Sequence, residues 1–314
     1  MKRKLRGVLI AVLSLVFLGS LAGIAVHMVN ERRGAEDYAE AASLVKLPDL
    51  PAGGNARPRP TPDQTEESGA PAVNYVWEDP YADALRDMDF TALREVNPDV
   101  AGWIVIPDTV ISYPLLQGED NAYYLSHTWK GDRNAVGAIF LESRCARDLS
   151  SFNTIVYGHR MRGGSMFGTL KYFARADYWQ AHPYVYIATD QGQYTYSIFS
   201  VYEAELDSDT YRISFADETE RRTAVENYIS RSVVETGVVP TAEDRILTLS
   251  TCTGNGHATR WVVQAVLTDY SAPEPSEVPP EEAELPSPEQ EDPAEMPAPA
   301  EDPAQTPGMN EEEA

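Results

Sequence analysis

Three residues of this chain have the types and surroundings that acyl transfer needs. Cys252 ends the β-prone run Thr248-Leu249-Ser250-Thr251, and Arg260 opens a second β-prone run from Trp261 to Leu267. A short polar loop rich in Gly joins the two. A thiol at the end of one strand and a guanidinium at the start of the next are held side by side on rigid elements. The thiolate would attack a carbonyl carbon, and the fixed cation would meet the oxyanion that forms. The proton carrier for this pair is His159, upstream in the stretch NTIVYGHRM.

Other residues with chemical capacity stand in poorer settings. His257 follows Cys252 by five positions and could make a second base or a Cys–His metal pair. Two ligands do not make a zinc site, so His257 reads as a solvated loop residue and no metal or cofactor is expected. His127 and His182 read as structural or exposed. Cys145, in LESRCARDLSS, reads as incidental to the chemistry, although a structural Cys145–Cys252 disulfide is the bland alternative for an exported chain with two cysteines.

The elements that must position these residues begin at Gly102. Short β-prone runs cover Trp103–Ile106, Val110–Leu116 (with Pro114 marking an edge or a bulge), Ala138–Leu141 and Thr154–Tyr157. Tyr184–Ile187 and Tyr194–Tyr202 form a hairpin through Asp190-Gln191-Gly192-Gln193. Ile246–Ser250 and Trp261–Leu267 complete the series. Helical spacing appears over 82–96, over Ser165–Phe173 and over 217–230, where Asp217 and Glu220 fit a helix start. The pattern predicts a mainly β fold, an eight-stranded barrel with a helix before it and a helix inserted ahead of the last two strands.

The flanks are of a different kind. Residues 1–7 are basic, and residues 8–29 carry no acidic or basic side chain except His27. As a helix that run spans about 33 Å at 1.5 Å per residue, enough for a bilayer core of roughly 30 Å. It is longer than a signal-peptide core, so an uncleaved anchor is expected, with Lys2, Arg3, Lys4 and Arg6 keeping the N-terminus in the cytoplasm. Residues 30–80, rich in Pro, Gly and charge, read as an extracellular stalk, and 81–270 as the catalytic domain on the outer face of the membrane. Residues 271–314 hold 14 acidic residues, 11 prolines and no Lys or Arg, the composition of a disordered tail. Without that tail the net charge of −24 falls to −10, with 35 acidic against 25 basic side chains. Nothing in the body is basic enough to bind nucleic acid.

Taken in order, four stretches resemble one family. They are GWIVIPDTVISYPLLQGEDNAYYL (102–125), YGHRMRGGSMFGTLKYF (157–173), the helix at 217–230, and the TLSTCT form of the thiol strand with Arg260 beyond it. Behind a membrane anchor, this set is similar to the sortases, cysteine transpeptidases of Gram-positive cell surfaces, and within them to class B. The resemblance covers about residues 82–270. It implies a sortase-type β-barrel with Cys252 as nucleophile, His159 as general acid and base, and Arg260 as donor to the oxyanion or the substrate. The implied reaction cuts a C-terminal sorting motif after Thr, holds the protein as a thioester and passes it to an amine of a peptidoglycan precursor. The motif expected from the family is of the Asn-Pro-x-Thr-Asn or Ser/Asn-Pro-x-Thr-Gly type, borne by surface proteins. Loop 253–259 has no carboxylate, where many class B members carry an acid.

Sortases are thought to need a thiolate beside a protonated imidazole. At ordinary pKa values, roughly 3% of such thiols and a quarter of such imidazoles have the needed form at pH 7. Independent titration would then leave under ~1% of molecules competent, so slow turnover is expected. Two other enzyme readings are weaker. A pilin-polymerising sortase, with a protein lysine as acceptor, would often carry a lid segment that is not evident before residue 100. A cysteine L,D-transpeptidase would carry a Ser-His-Gly-Cys motif, which is absent. A non-catalytic envelope scaffold, using the Cys145–Cys252 disulfide, is the alternative from a different class.

Overall fold

Eight strands close into a barrel in the order β1-β2-β3-β4-β7-β8-β6-β5. The structure is a computed structural model that describes residues 2–45, 47, 79–252 and 258–273. The strands are β1 (Val100–Val105), β2 (Ser112–Leu116), β3 (Ile139–Leu141), β4 (Asn153–Tyr157), β5 (Tyr184–Thr189), β6 (Gly192–Glu205), β7 (Ile246–Cys252) and β8 (Thr259–Ser271). Each expected strand is present, most of them one to four residues longer at an end. The expected hairpin is there too, with Thr189 opposite Gly192. Pro114 lies opposite Trp103 on β1, and β3 pairs only with Leu115 and Leu116, so the proline stands beyond the ladder on that side.

Two neighbouring pairs are parallel, β2 with β3 and β4 with β7. A parallel pair needs a long crossover. For β4 and β7 that crossover is the whole segment 158–245, carrying β5, β6 and helix α5 (Glu218–Arg231). The side chain of Asp217 caps α5 by accepting from Glu220 N at 2.9 Å, and Glu220 accepts in return from Ala216 N at 2.7 Å. Ala224, Val225 and Tyr228 are its buried face. The barrel with this inserted helix is the fold expected from the sequence.

The helices depart from expectation in three places. The helix anticipated over 82–96 is two, α2 (Pro80–Arg86) and α3 (Thr91–Val96). Asp89 accepts from Thr91 N at 2.8 Å, a local bond that starts a new helix and lets Phe90 turn into the core. The helix anticipated over Ser165–Phe173 is a single 3₁₀ segment, Leu170–Ala174, followed by a short helix α4 (Ala176–Ala181). Met166 sits at φ 56° and gives its N–H to Tyr113 Oη at 2.9 Å, which no helix interior permits. Met166, Phe167, Leu170 and Phe173 are nonetheless all buried, so the apolar spacing signalled a core contact and not its backbone form.

The third departure concerns the stalk. Helix α1 runs without a break from Lys2 to Leu44, through the apolar run and into the segment read as a linker. Among the described residues it is the one helix long and apolar enough to cross a membrane. Its C-terminal part, however, is packed on the barrel. Tyr38, Ala41 and Val45 are buried, the Tyr38 ring meets Tyr113 edge-on at 5.2 Å, and Trp129 Nε1 donates to Asp37 O at 2.7 Å. A small apolar set at helical spacing was hidden among charged neighbours, which is why composition alone misread it. Residues 46 and 48–78 of the expected stalk, and 274–314 of the expected tail, lie outside the described residues.

This docking separates two truncations. Removing residues 2–29 leaves the barrel's melting temperature within about 2 °C, since α1 first touches the barrel near Asn30. Removing 2–45 costs about 3–5 kcal/mol, the usual loss for a buried aromatic, and lowers the melting temperature by about 6–20 °C. Calorimetry of the two chains checks this, and equal melting temperatures would contradict it.

Candidate active site

The parallel register of β4 and β7 decides what can meet. Asn153 lies opposite Ile246 and Tyr157 opposite Ser250, and Gly158 N donates to Ser250 O at 3.2 Å. His159 and Cys252 each stand two positions beyond the last of these pairs. On the other side of β7, Cys252 is directly opposite Arg260 of β8. Directly opposed residues of antiparallel strands have their Cβ atoms about 4.5–5.5 Å apart. The backbone thus brings the three sequence-selected residues to one end of the β4–β7–β8 sheet. Residues 253–257, with His257, lie outside the described residues.

The motif YGH has a steric reason at its centre. A Cβ on Gly158 would stand 2.4 Å from Ile139 Cδ1 and 2.8 Å from the Phe167 ring. Only glycine lets the chain leave β4 this close to the core and turn His159 toward the barrel rim. The half-buried imidazole then has its Nε2 2.6 Å from Leu125 O. A carbonyl only accepts, so Nε2 carries a hydrogen. The same Cδ2–Nε2 edge of the ring lies against Gly137, which has φ 63°. A methyl there would come within 2.7 Å of both His159 Cδ2 and Tyr124 O.

Arg260 is half-buried, with Nη1 donating to Thr259 O at 3.0 Å. Thr259 Oγ1 in turn donates to Glu203 on β6 at 3.2 Å. The other two described histidines with sequence interest are structural, as expected. His127 stacks on Tyr123 at 4.0 Å with Nδ1 2.8 Å from Tyr123 O, and His182 Nδ1 is 3.0 Å from Pro107 O.

The disulfide alternative fails on distance. Cys145 is a buried free thiol whose Sγ donates to Asn153 O at 3.5 Å. Asn153 pairs with Ile246, six residues before Cys252, so the cysteines are separated by about 20 Å of strand at 3.3 Å per residue. A disulfide needs Cα atoms within about 7 Å. Burial also pushes the Cys145 thiol above its ordinary pKa, leaving it inert at neutral pH.

Several residues around the site were not found by sequence reasoning. Strand alternation puts positions 250 and 252 on one face of β7, and Ser250 Oγ is 3.0 Å from Tyr211 Oη. Tyr211 also stacks on Tyr157 at 6.4 Å. Its loop is held down by Asn153, whose Nδ2 donates to Thr210 O at 3.0 Å and Arg212 O at 2.9 Å. Asn153 Oδ1 accepts from Thr248 Oγ1 at 2.7 Å, and Thr248 Oγ1 accepts from Gln264 Nε2 at 3.0 Å, so one buried polar chain crosses β4, β7 and β8. Beneath Tyr157, buried Glu142 accepts from Tyr157 Oη at 3.0 Å, Asn121 Nδ2 at 2.7 Å and Arg144 Nε at 2.7 Å. The two-residue step from Cys252 to Ser250 was a legible signal. The partners of Ser250 and Glu142 were not, because they lie far away in sequence.

Comparison with known proteins agrees with this architecture. The family model described as the sortase domain matches residues 104–268. Sortase B of Listeria monocytogenes is 38% identical over 170 residues, covering 54% of this chain and 67% of the relative. A crystal structure of sortase B from B. anthracis superposes with a TM-score of 0.60 at 30% identity, covering 76% of this chain and 98% of that one. A Staphylococcus aureus sortase B–substrate complex gives a TM-score of 0.56 at 29% identity, over 58% of this chain and 85% of that one.

Glu142 yields a prediction with a defined pH sign. Burial alone would raise its carboxyl pKa, but the bonds from Arg144, Asn121 and Tyr157 outweigh burial and hold it below the usual range. A folded-state pKa that is depressed adds stability above the unfolded value, near ~4.3, and that stability is lost as pH falls through the folded value. Glu142→Gln should therefore be less stable than the parent at pH 7 by about 1–3 kcal/mol, and the gap should close below about pH 4. Urea melts at pH 7 and pH 3 measure it. A gap of the same size at both pH values would contradict the ionised role of Glu142.

Proposed function

This chain belongs to the sortase family, in class B, with the fold of a sortase-type cysteine transpeptidase, and from that premise we propose the following reaction. Cys252 attacks the backbone carbonyl of Thr in a C-terminal sorting motif. The carbonyl oxygen becomes an oxyanion facing the Arg260 guanidinium, which stabilises charge that the ground state lacks. The intermediate collapses, the C–N bond after Thr breaks, and His159 protonates the departing amine. Cys252 is then a thioester. An amine of a peptidoglycan precursor attacks it, gives a proton to His159 and forms a new amide, which returns the thiolate. Two moderate barriers replace one high one.

The observation that carries this reading is the register: Cys252 opposite Arg260 on one side of β7, and His159 two positions past the β4–β7 ladder on the other. The Nε2–H to Leu125 O bond supports it, because it fixes the tilt of the ring at the barrel rim. Substrates are surface proteins with an Asn-Pro-x-Thr-Asn or Ser/Asn-Pro-x-Thr-Gly motif. The apolar part of α1 is the membrane anchor, with the N-terminus in the cytoplasm and the barrel outside. Since α1 passes unbroken from that span onto the barrel, the active site works close to the membrane surface, where membrane-bound cargo and a lipid-linked acceptor are found.

The test uses the full chain in detergent micelles with a panel of quenched sorting-motif peptides. One peptide should be cut after Thr, and Cys252→Ala should abolish the cut. His159→Ala should lower kcat about 10²–10⁴-fold and Arg260→Ala about 10²–10³-fold. Cleavage that survives Cys252→Ala would overturn the mechanism.

A further inference from the structure

The face of α1 that leaves the apolar span does more than rest on the barrel. It is bonded to a loop that walls in His159. That loop, residues 117–138 between β2 and β3, meets α1 at four points. Asn134 Nδ2 donates to Asn30 O at 3.0 Å, Trp129 Nε1 to Asp37 O at 2.7 Å, and Lys130 Nζ to Glu40 Oε2 at 2.5 Å. The fourth contact is Tyr38 Oη, buried, donating to Gly137 O at 2.5 Å.

Gly137 is also the residue whose Cα side closes on the imidazole, and Leu125 O from the same loop takes the Nε2 hydrogen. Ala138 N donates to Tyr124 O at 2.9 Å and ties the loop's two limbs together beside the ring. The Tyr38 hydroxyl from α1 and the Ala138 N–H bond therefore hold the Gly137–Ala138 peptide plane beside His159 from its two edges. Burial keeps the Tyr38 phenol protonated far above its ordinary pKa, so the donor is present at every working pH.

We propose that Tyr38, on the membrane-proximal helix, is a positioning residue for His159, acting through Gly137 and the 117–138 loop. The membrane helix and the proton carrier are then one mechanical unit, and a barrel released from α1 keeps its fold while losing the fixed orientation of the ring. The proposal rests on His159 as the proton carrier, but its geometric content stands apart from catalysis.

The experiment compares the full chain with Tyr38→Phe and Gly137→Ala in detergent micelles, using ¹³C-labelled histidine. His159→Ala identifies the His159 signal among the five histidines. Tyr38→Phe keeps the ring and its packing on Tyr113 but removes the donor. It should shift the His159 imidazole resonance and its titration midpoint, and lower kcat for the cleaved peptide about tenfold with KM within twofold. Arg222→Ala, which removes an exposed ion pair with Glu218 within α5, should leave both unchanged. An unmoved resonance with unchanged kcat in Tyr38→Phe overturns the proposal. If no peptide is cleaved by the parent chain, the catalytic reading falls and the resonance alone decides the positioning. Were Tyr38→Phe to lose its fold, Gly137→Ala decides from the other end of the contact: the added methyl must shift the His159 signal, and an unmoved signal overturns the proposal.

Discussion

The parallel pairing of β4 with β7 is the constraint on which the rest depends. Five residue pairs, from Asn153–Ile246 to Tyr157–Ser250, align two strands separated by almost ninety residues of chain. A slip of one residue would turn Ser250 and Cys252 to the other face and lift His159 out of line. The register is defended by polar groups as well as apolar ones. Asn153, Thr248 and Gln264 are fully buried and bonded to one another, and a slip would leave each of them unsatisfied. The same Asn153 holds the loop that brings Tyr211 onto Ser250, so strand alignment and the wall of the site are set together.

A second constraint acts on the histidine. Glycine at 158 lets the chain pass the core, and glycine at 137 lets the opposite loop come up against the ring. A Cβ at either position would press on its neighbours, and both glycines set one imidazole against a carbonyl and a peptide plane. The loop that supplies them is fastened to α1, the helix that carries the long apolar run.

Much of this was legible in the sequence because it is written in local pattern. Strand runs, the Asp217–Glu220 cap and the spacing of Cys252 and Arg260 are all near-neighbour features, and the barrel and its inserted helix followed from them. Composition served less well. Residues 34–45 look charged and linker-like, yet Tyr38, Ala41 and Val45 lie on one helical face and are buried. The Met166–Phe173 run kept its apolar spacing but lost its helix to a positive φ at Met166. Cys145 proved too far from Cys252 for the disulfide that two cysteines suggested. Glu142, Tyr211 and Gly137 could not be read at all, since their partners come together only when the barrel closes.

If the barrel's register makes Cys252, and not the other thiol, the carrier of the acyl group, the intermediate can be trapped and located. The most direct measurement is the intact mass of the full chain, acid-quenched during turnover of a sorting-motif peptide, followed by digestion. The expected result is an added mass equal to the peptide's acyl group through its Thr, placed on Cys252, labile to hydroxylamine, with Cys145 unmodified. An adduct on Cys145, or peptide cleavage with no hydroxylamine-sensitive adduct on Cys252, would contradict it.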